Sequence, residues 1–98
     1  MTIKESQNKR YHFFYVGDEQ SPLAQMVFQL PEPGLMIVEH TEVDESLSGK
    51  GVGKQLVAFA VNYARTHQLK IRPYCPFTHA VISKTKEYQD VWDKTSEK

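Results

Sequence analysis

An α/β fold, its mixed sheet antiparallel at first and parallel at the end, follows from three features of this 98-residue sequence. The first half holds three short runs rich in β-branched and aromatic residues, separated by turn-forming residues. From Val52 onward the apolar positions switch to the spacing of an amphipathic helix. A brief apolar run then returns, so residues 35–75 read strand, helix, strand, which is the length of one βαβ unit.

Each element has its own warrant. Residues 10–16, RYHFFYV, are dense in aromatic and β-branched types and form the first strand. GDEQSP is a turn punctuated by Gly17, Asp18 and Pro22. Residues 23–30 form a second strand in a hairpin with the first, and PEPG at 31–34 ends it. Residues 35–43, LMIVEHTEV, are the third strand, and three strands with short links favour an antiparallel meander. On its alternation Met36, Val38, His40 and Glu42 share one face. A long helix follows Gly51, with Val52, Leu56, Phe59, Ala60, Tyr63 and His67 as its buried stripe. Residues 69–75, LKIRPYC, make a short fourth strand. Pro76 suits the first turn of a second helix over roughly 76–84. EYQDVW adds a last short helix whose apolar face is Tyr88 and Trp92. Residues 1–8 and 94–98 are expected to fray, leaving one domain over 1–98.

Composition narrows the function. Twelve basic residues balance twelve acidic ones, which argues against a strongly basic nucleic-acid binder or a polybasic membrane-surface protein. No apolar run approaches the length of a membrane span, and the polar start lacks the apolar core of a signal peptide. One cysteine forms no internal disulfide, and four scattered histidines lack metal-ligand spacing, so neither a disulfide framework nor a metal is expected. The expected setting is a reducing cytoplasm. The oligomeric state is not legible.

Residues 47–56, LSGKGVGKQL, place three of the five glycines, Gly49, Gly51 and Gly53, within five positions directly before the long helix. The P-loop pattern fails twice, since Ser48 stands where its first glycine belongs and Gln55 where its hydroxyl belongs. The dinucleotide fingerprint fails once, at Lys54. The physics behind both motifs survives: small residues let backbone N–H groups converge, and a helix start adds a positive dipole end suited to a pyrophosphate. Taken alone, the stretch is equally an ordinary glycine-rich helix start with solvated lysines.

A third pattern matches better. LSGKGVGKQL resembles the loop of the GNAT acetyltransferases, Arg/Gln-x-x-Gly-x-Gly/Ala, aligned on Gly51 and Gly53 with Ser48 in the Arg/Gln place. The likeness extends through EHTEVDESLSGKGVGKQLVAFAVNYARTHQLKIRPYCPF and EYQDVW. These resemble a subfamily of very small GNAT-like proteins whose members read H-T-x-V, glycine loop, helix, P-x-C-x-[FY] and E-Y. It covers residues 39–92. Members often carry His-Pro before the E-Y, where this chain has Thr85-Lys86.

The resemblance implies a GNAT-like fold and an acetyl-CoA-dependent acetyltransferase acting on an amine acceptor that the sequence does not identify. By the same resemblance, backbone amides across Gly49–Lys54 hold the coenzyme A pyrophosphate, with Lys50 and Lys54 near phosphates. Val43, Ser48, Val52 and Phe77 complete the implied coenzyme site, Cys75 is the implied nucleophile and His40 its partner. A non-catalytic coenzyme A-binding module and a plain structural partner domain are the alternatives. The residues themselves speak for Cys75 in one way: Pro76 at a first helical position leaves Cys75 at the N-cap, where the helix dipole favours thiolate. Against this, a free cysteine usually just packs in a core. Tyr74 and Phe77 flank it and suit an acyl or pantetheine path. His40 on its strand is also read as an ordinary hydrogen-bonded structural residue.

Overall fold

The sheet starts earlier than the aromatic run. In a computed structural model, which describes residues 2–94, Lys4–Gln7 (β1) pairs antiparallel with His12–Asp18 (β2), Lys4 opposite Tyr15 and Gln7 opposite His12. Residues expected to fray therefore form an edge strand. The polar sequence KESQ hides it because only one of its sides meets the sheet. Residues 95–98, also expected to fray, lie outside the described residues.

The meander continues through Ser21–Glu32 (β3) and Leu35–Val43 (β4), each antiparallel to its predecessor. β3 is longer than its apolar core suggests. It reaches back to Ser21 because Gly17, with φ +90°, sits at a register shift that tightens the β2–β3 turn. It also runs on through Pro31 and Glu32. Pro31 is tolerated there because the pairing with β4 shifts register between Gln29 and Glu32, so no ladder bond is asked of its missing N–H. Gly34, at φ +83°, then makes the turn.

A 3-10 turn, Glu45–Leu47, and the glycine loop lead into the long helix, Val52–Thr66 (α1). Lys70–Pro73 (β5) returns parallel to β4, Leu35 opposite Lys70 and Val38 opposite Pro73, completing a five-stranded sheet in the order β1-β2-β3-β4-β5. Pro76–Lys84 (α2) and a 3-10 helix, Lys86–Val91, follow. Trp92 then forms a single parallel bridge to Ile71, and the Asp93 amide donates to the Ile71 carbonyl at 2.8 Å, so the free edge of β5 is covered.

Register assigns one sheet face to the core. Phe14, Met26, Phe28, Met36, Val38 and Ile71 share it, all essentially without solvent exposure, and α1 packs over them. The buried face of α1 is rotated from the expected stripe: Val57, Val61 and Ala64 are buried with Val52, Leu56 and Ala60, while His67 is exposed. Phe59 and Tyr63 border that face and meet Phe14 edge-on, with ring centroids 4.8 and 5.2 Å away. Phe28 packs against Phe14 at 4.5 Å, so this aromatic group joins β2, β3 and α1. Among the described residues, no helix is long and apolar enough to cross a membrane. Phe28→Ala should cost about 3–5 kcal/mol of unfolding free energy in urea denaturation, the range for emptying a fully buried phenylalanine site.

Candidate functional site

β4 and β5 are paired over only part of their length. The ladder runs from Leu35 to Val38 on β4, and there it stops. The Val38 carbonyl accepts from two amides, Tyr74 at 3.0 Å and Cys75 at 3.1 Å, after which the chain turns away into α2. Residues 39–43 of β4 therefore have no strand beside them on the side where β5 ends. The gap between the end of β4 and the start of α2 continues into a cleft of about 570 Å³ at the glycine loop.

Sequence alternation along β4 fails at one residue. His40 pairs with Val27 but Val38 pairs with Phe28, so Glu39 is an extra residue, a β-bulge. The bulge reverses which side chains face inward. Thr41, opposite Met26, shares the core face with Met36 and Val38, while His40 and Glu42 are on the other side. The expectation that Met36, Val38, His40 and Glu42 share a face is thus corrected. His40 is 57% exposed and its Nε2 lies 2.7 Å from Glu42 Oε1. It and Cys75 do not face one cleft.

The glycine loop is shaped by two different needs. Gly49 and Gly51 have φ of +79° and +72°, the left-handed region that β-carbons disfavour, with open space where a side chain would be. Gly53 has ordinary helical backbone, but a Cβ there would lie 2.8 Å from Cζ of Phe77. Its bareness seats the Phe77 ring across the start of α1. Before the loop, the Asp44 carboxylate accepts from the Ser46 hydroxyl at 2.6 Å and the Ser46 amide at 2.9 Å, which holds its pKa below the usual carboxylate range.

Most backbone donors of the loop remain open. The first rung of α1 is Gln55 N–H to the Gly51 carbonyl at 3.0 Å, so the amides of Val52, Gly53 and Lys54 have no intrahelical acceptor. The exceptions are Ser48, whose amide donates to the Glu45 carbonyl at 3.0 Å, and Lys50, whose amide donates to the Leu47 carbonyl at 3.3 Å. No side chain caps α1 and no acidic residue occupies its first turn, so the positive dipole end is uncompensated from within the helix.

Of the residues that the sequence nominated for a coenzyme, Val43, Ser48, Gly49, Gly51, Val52, Gly53, Lys54 and Phe77 line the cleft, and Lys50 does not. Thr41 and Leu47 also line it and were not nominated. Thr41 was hidden by the bulge, which leaves no mark in the alternation. Leu47 reads from sequence as loop. Val43 and Phe77 are 38% and 41% exposed, a large apolar area for a small protein. Beyond Phe77 the cleft adjoins a second hollow of about 480 Å³ along α2, walled by Lys54, Lys84, Thr85 and Tyr88.

Cys75 is the N-cap residue of α2, and Pro76 follows at the first helical position. Cys75 is 5% exposed, and Sγ lies 3.6 Å from the Thr41 hydroxyl, which lies 3.3 Å from that of Thr78. Burial pushes the thiol pKa up. The amide of Thr78, the hydroxyls of Thr41 and Thr78 and the amide of Phe77 together outweigh it, and the net shift is downward. The geometry closes no side-chain hydrogen bond at this cap, so the amides act as nearby oriented dipoles.

Comparison with other proteins places this arrangement. The profile of a family of GCN5-related N-acetyl-transferases matches residues 11–91. A GCN5-like N-acetyltransferase candidate from Staphylococcus aureus, solved by NMR, is 34% identical, with a TM-score of 0.74 over 92% of this chain and 87% of that one. An IAA acetyltransferase from Bacillus cereus is 26% identical, with a TM-score of 0.55 over 66% of this chain and 44% of its own. A GNAT family acetyltransferase from Elizabethkingia anophelis with acetyl-CoA bound shares the fold, at 14% identity and a TM-score of 0.55 over 65% of this chain and 42% of its own. The matched part spans less than half of each of these two larger proteins. No curated protein matches the chain in sequence.

The two kinds of glycine can be told apart. Gly51→Ala should lose about 1–2 kcal/mol of stability, the cost of left-handed backbone for a residue with a Cβ. Gly53→Ala should change stability by less than about 1 kcal/mol, because the exposed Phe77 ring can swing aside and alanine favours the helix. It should instead shift the Phe77 ring signals in NMR spectra, which Gly51→Ala should not.

Proposed function

The chain belongs to the GCN5-related N-acetyltransferase family, and from that premise we propose that it transfers the acetyl group of acetyl-CoA to an amine by way of Cys75. The observation that carries the reading is the set of open amides at Gly49, Gly51, Val52, Gly53 and Lys54, brought to one cleft that also reaches Thr41 beside the thiol. These residues fit the coenzyme. Converging N–H groups and an uncompensated helix dipole suit a pyrophosphate, and Lys54 adds charge. The unpaired edge of β4 suits the amide-bearing pantetheine arm, which can bond to it as a strand would, and Val43 and Phe77 give it apolar walls. The adjoining hollow with Lys84 and Tyr88 takes the nucleotide end.

Acetyl-CoA supplies an activated thioester. The Cys75 thiolate attacks the acetyl carbonyl carbon, a C–S bond forms at Sγ, and the bond to the coenzyme sulfur breaks, releasing coenzyme A thiolate, which takes a proton from water. The amine then attacks the acetyl carbon of acetyl-Cys75, forming the amide and returning the electron pair to Sγ. The amine's proton passes to water, because His40, paired with Glu42, is on the face of β4 turned away from Cys75. The P-x-C-x-[FY] run, Pro73 to Phe77, thus has a part for each fixed position: Pro73 ends β5, Cys75 reacts, and Phe77 walls the cleft. A thiol kept for chemistry belongs in a reducing compartment, in keeping with the cytoplasm.

The burial of Cys75 favours a second reading, in which the amine attacks the thioester directly and the cysteine only lines the site. Intact mass after incubation with acetyl-CoA, with peptide mapping, separates the two. The covalent route requires one added acetyl group on Cys75 that is absent from Cys75→Ala. A Cys75→Ala protein with unchanged amine-dependent release of coenzyme A leaves direct transfer. Binding of coenzyme A without release in the presence of any amine leaves a binding module. For the covalent route the labelling rate should rise with pH through the thiol pKa and level off above it. Because that pKa is lowered, labelling should persist to lower pH than for a free cysteine, and be lost only as pH falls through the shifted value.

A further inference from the structure

We infer that Thr41, turned inward by the bulge at Glu39 and backed by Thr78, is the positioning partner of the Cys75 sulfur, in the role that the sequence assigned to His40. The inference rests on the reading of Cys75 as acetyl acceptor for its catalytic meaning, though not for its geometry.

Three observations converge on Thr41. Its hydroxyl is 3.6 Å from Sγ, and the residue also lines the cleft. Thr78 is the only buried polar residue among the described residues, at 0% exposure, and its hydroxyl lies 3.3 Å from that of Thr41 and within reach of the thiol. A buried hydroxyl on a helix face otherwise occupied by core contacts is costly unless bonded, so Thr78 fixes the rotamer of Thr41. The third is the bulge itself. Without Glu39 as the extra residue, alternation would turn the Thr41 hydroxyl to the opposite face and put His40 inward.

A hydroxyl suits this place better than an imidazole. With the thiol protonated, S–H donates to Thr41 Oγ1. With the thiolate, Thr41 O–H turns to donate to sulfur. The partner thus serves both states without changing charge, and keeps Sγ aimed at the cleft. Charged groups on the surrounding elements do not compete. His40 and Glu42 of β4 are on the far side, Arg72 of β5 is bonded to Asp93 at 3.0 Å, and His79 of α2 lies edge-on to Trp92. Lys54 of α1 lines the cleft, and no charged side chain is among the influences on the thiol.

The test is the titration of Cys75 followed by the NMR shift of its 13C-labelled Cβ, which needs neither coenzyme nor reagent access. Thr41→Val keeps the shape and removes the hydroxyl. It should raise the midpoint by about one unit, the loss of one hydrogen bond to a charged group, and so lower the thiolate fraction near neutrality. Thr41→Ser should restore it, and His40→Ala should leave the midpoint in place. Should Thr41→Val not fold, Thr78→Val should give a rise of the same sign. A folded Thr41→Val with the wild-type midpoint, or a His40→Ala shift as large as that of Thr41→Val, overturns the inference. The two ideas fail separately. The predicted shifts with no acetyl on Cys75 sink the covalent route alone. Acetyl-Cys75 with no change in Thr41→Val sinks the role of Thr41 alone.

Discussion

Much of this molecule follows from a limit on one carbonyl group. The Val38 oxygen, at a fully buried position, accepts from the amides of both Tyr74 and Cys75. Two donors on one acceptor cannot be the pattern of a continuing parallel ladder, in which bonds are evenly spaced. β5 therefore ends here, and the next residues must find other partners. Pro76 carries no N–H to satisfy, and its fixed φ suits the first turn of a helix, so α2 starts at once. From this one junction come the open half of β4, the N-cap position of Cys75 and the mouth of the cleft.

The glycine loop answers the same junction from the other end of β4. A strand with no neighbour leaves polar backbone exposed, and a helix start leaves amides exposed. Here the two kinds of unsatisfied group face one space. Water can satisfy both, but so can a molecule that carries phosphate oxygens at one end and amides along its length. The fold keeps that space open with geometry more than with charge: left-handed glycines turn the chain, and Gly53 makes room for the ring of Phe77.

What the sequence disclosed was local, and what it hid was pairing. The bounds of β4 and α2 were readable because Gly34, Val43, Pro76 and Lys84 stand at changes of period or at punctuation. The fold family was readable because the glycine loop carries family-specific spacing. β1 was hidden because an edge strand is held by backbone bonds to β2, which KESQ does not advertise. The bulge at Glu39 was hidden for a related reason: inserting a residue depends on the partner strand, and β4 alone reads as unbroken alternation. That one unreadable residue decides whether a histidine or a threonine lies beside the cysteine.

The way the chain closes against the sheet gives the protein a built-in optical probe. Its single tryptophan, Trp92, sits at the bridge to Ile71, with His79 edge-on, Lys94 Nζ 4.5 Å above its ring, and a buried Nε1 that has no acceptor among the described residues. An indole held in that way emits according to whether this last turn is seated on β5. Its fluorescence therefore watches the edge of the sheet, and with it Arg72 and Asp93, independently of the five tyrosines. Undocking of this segment would be visible as a spectral change of its own, distinct from the melting of the aromatic group around Phe14.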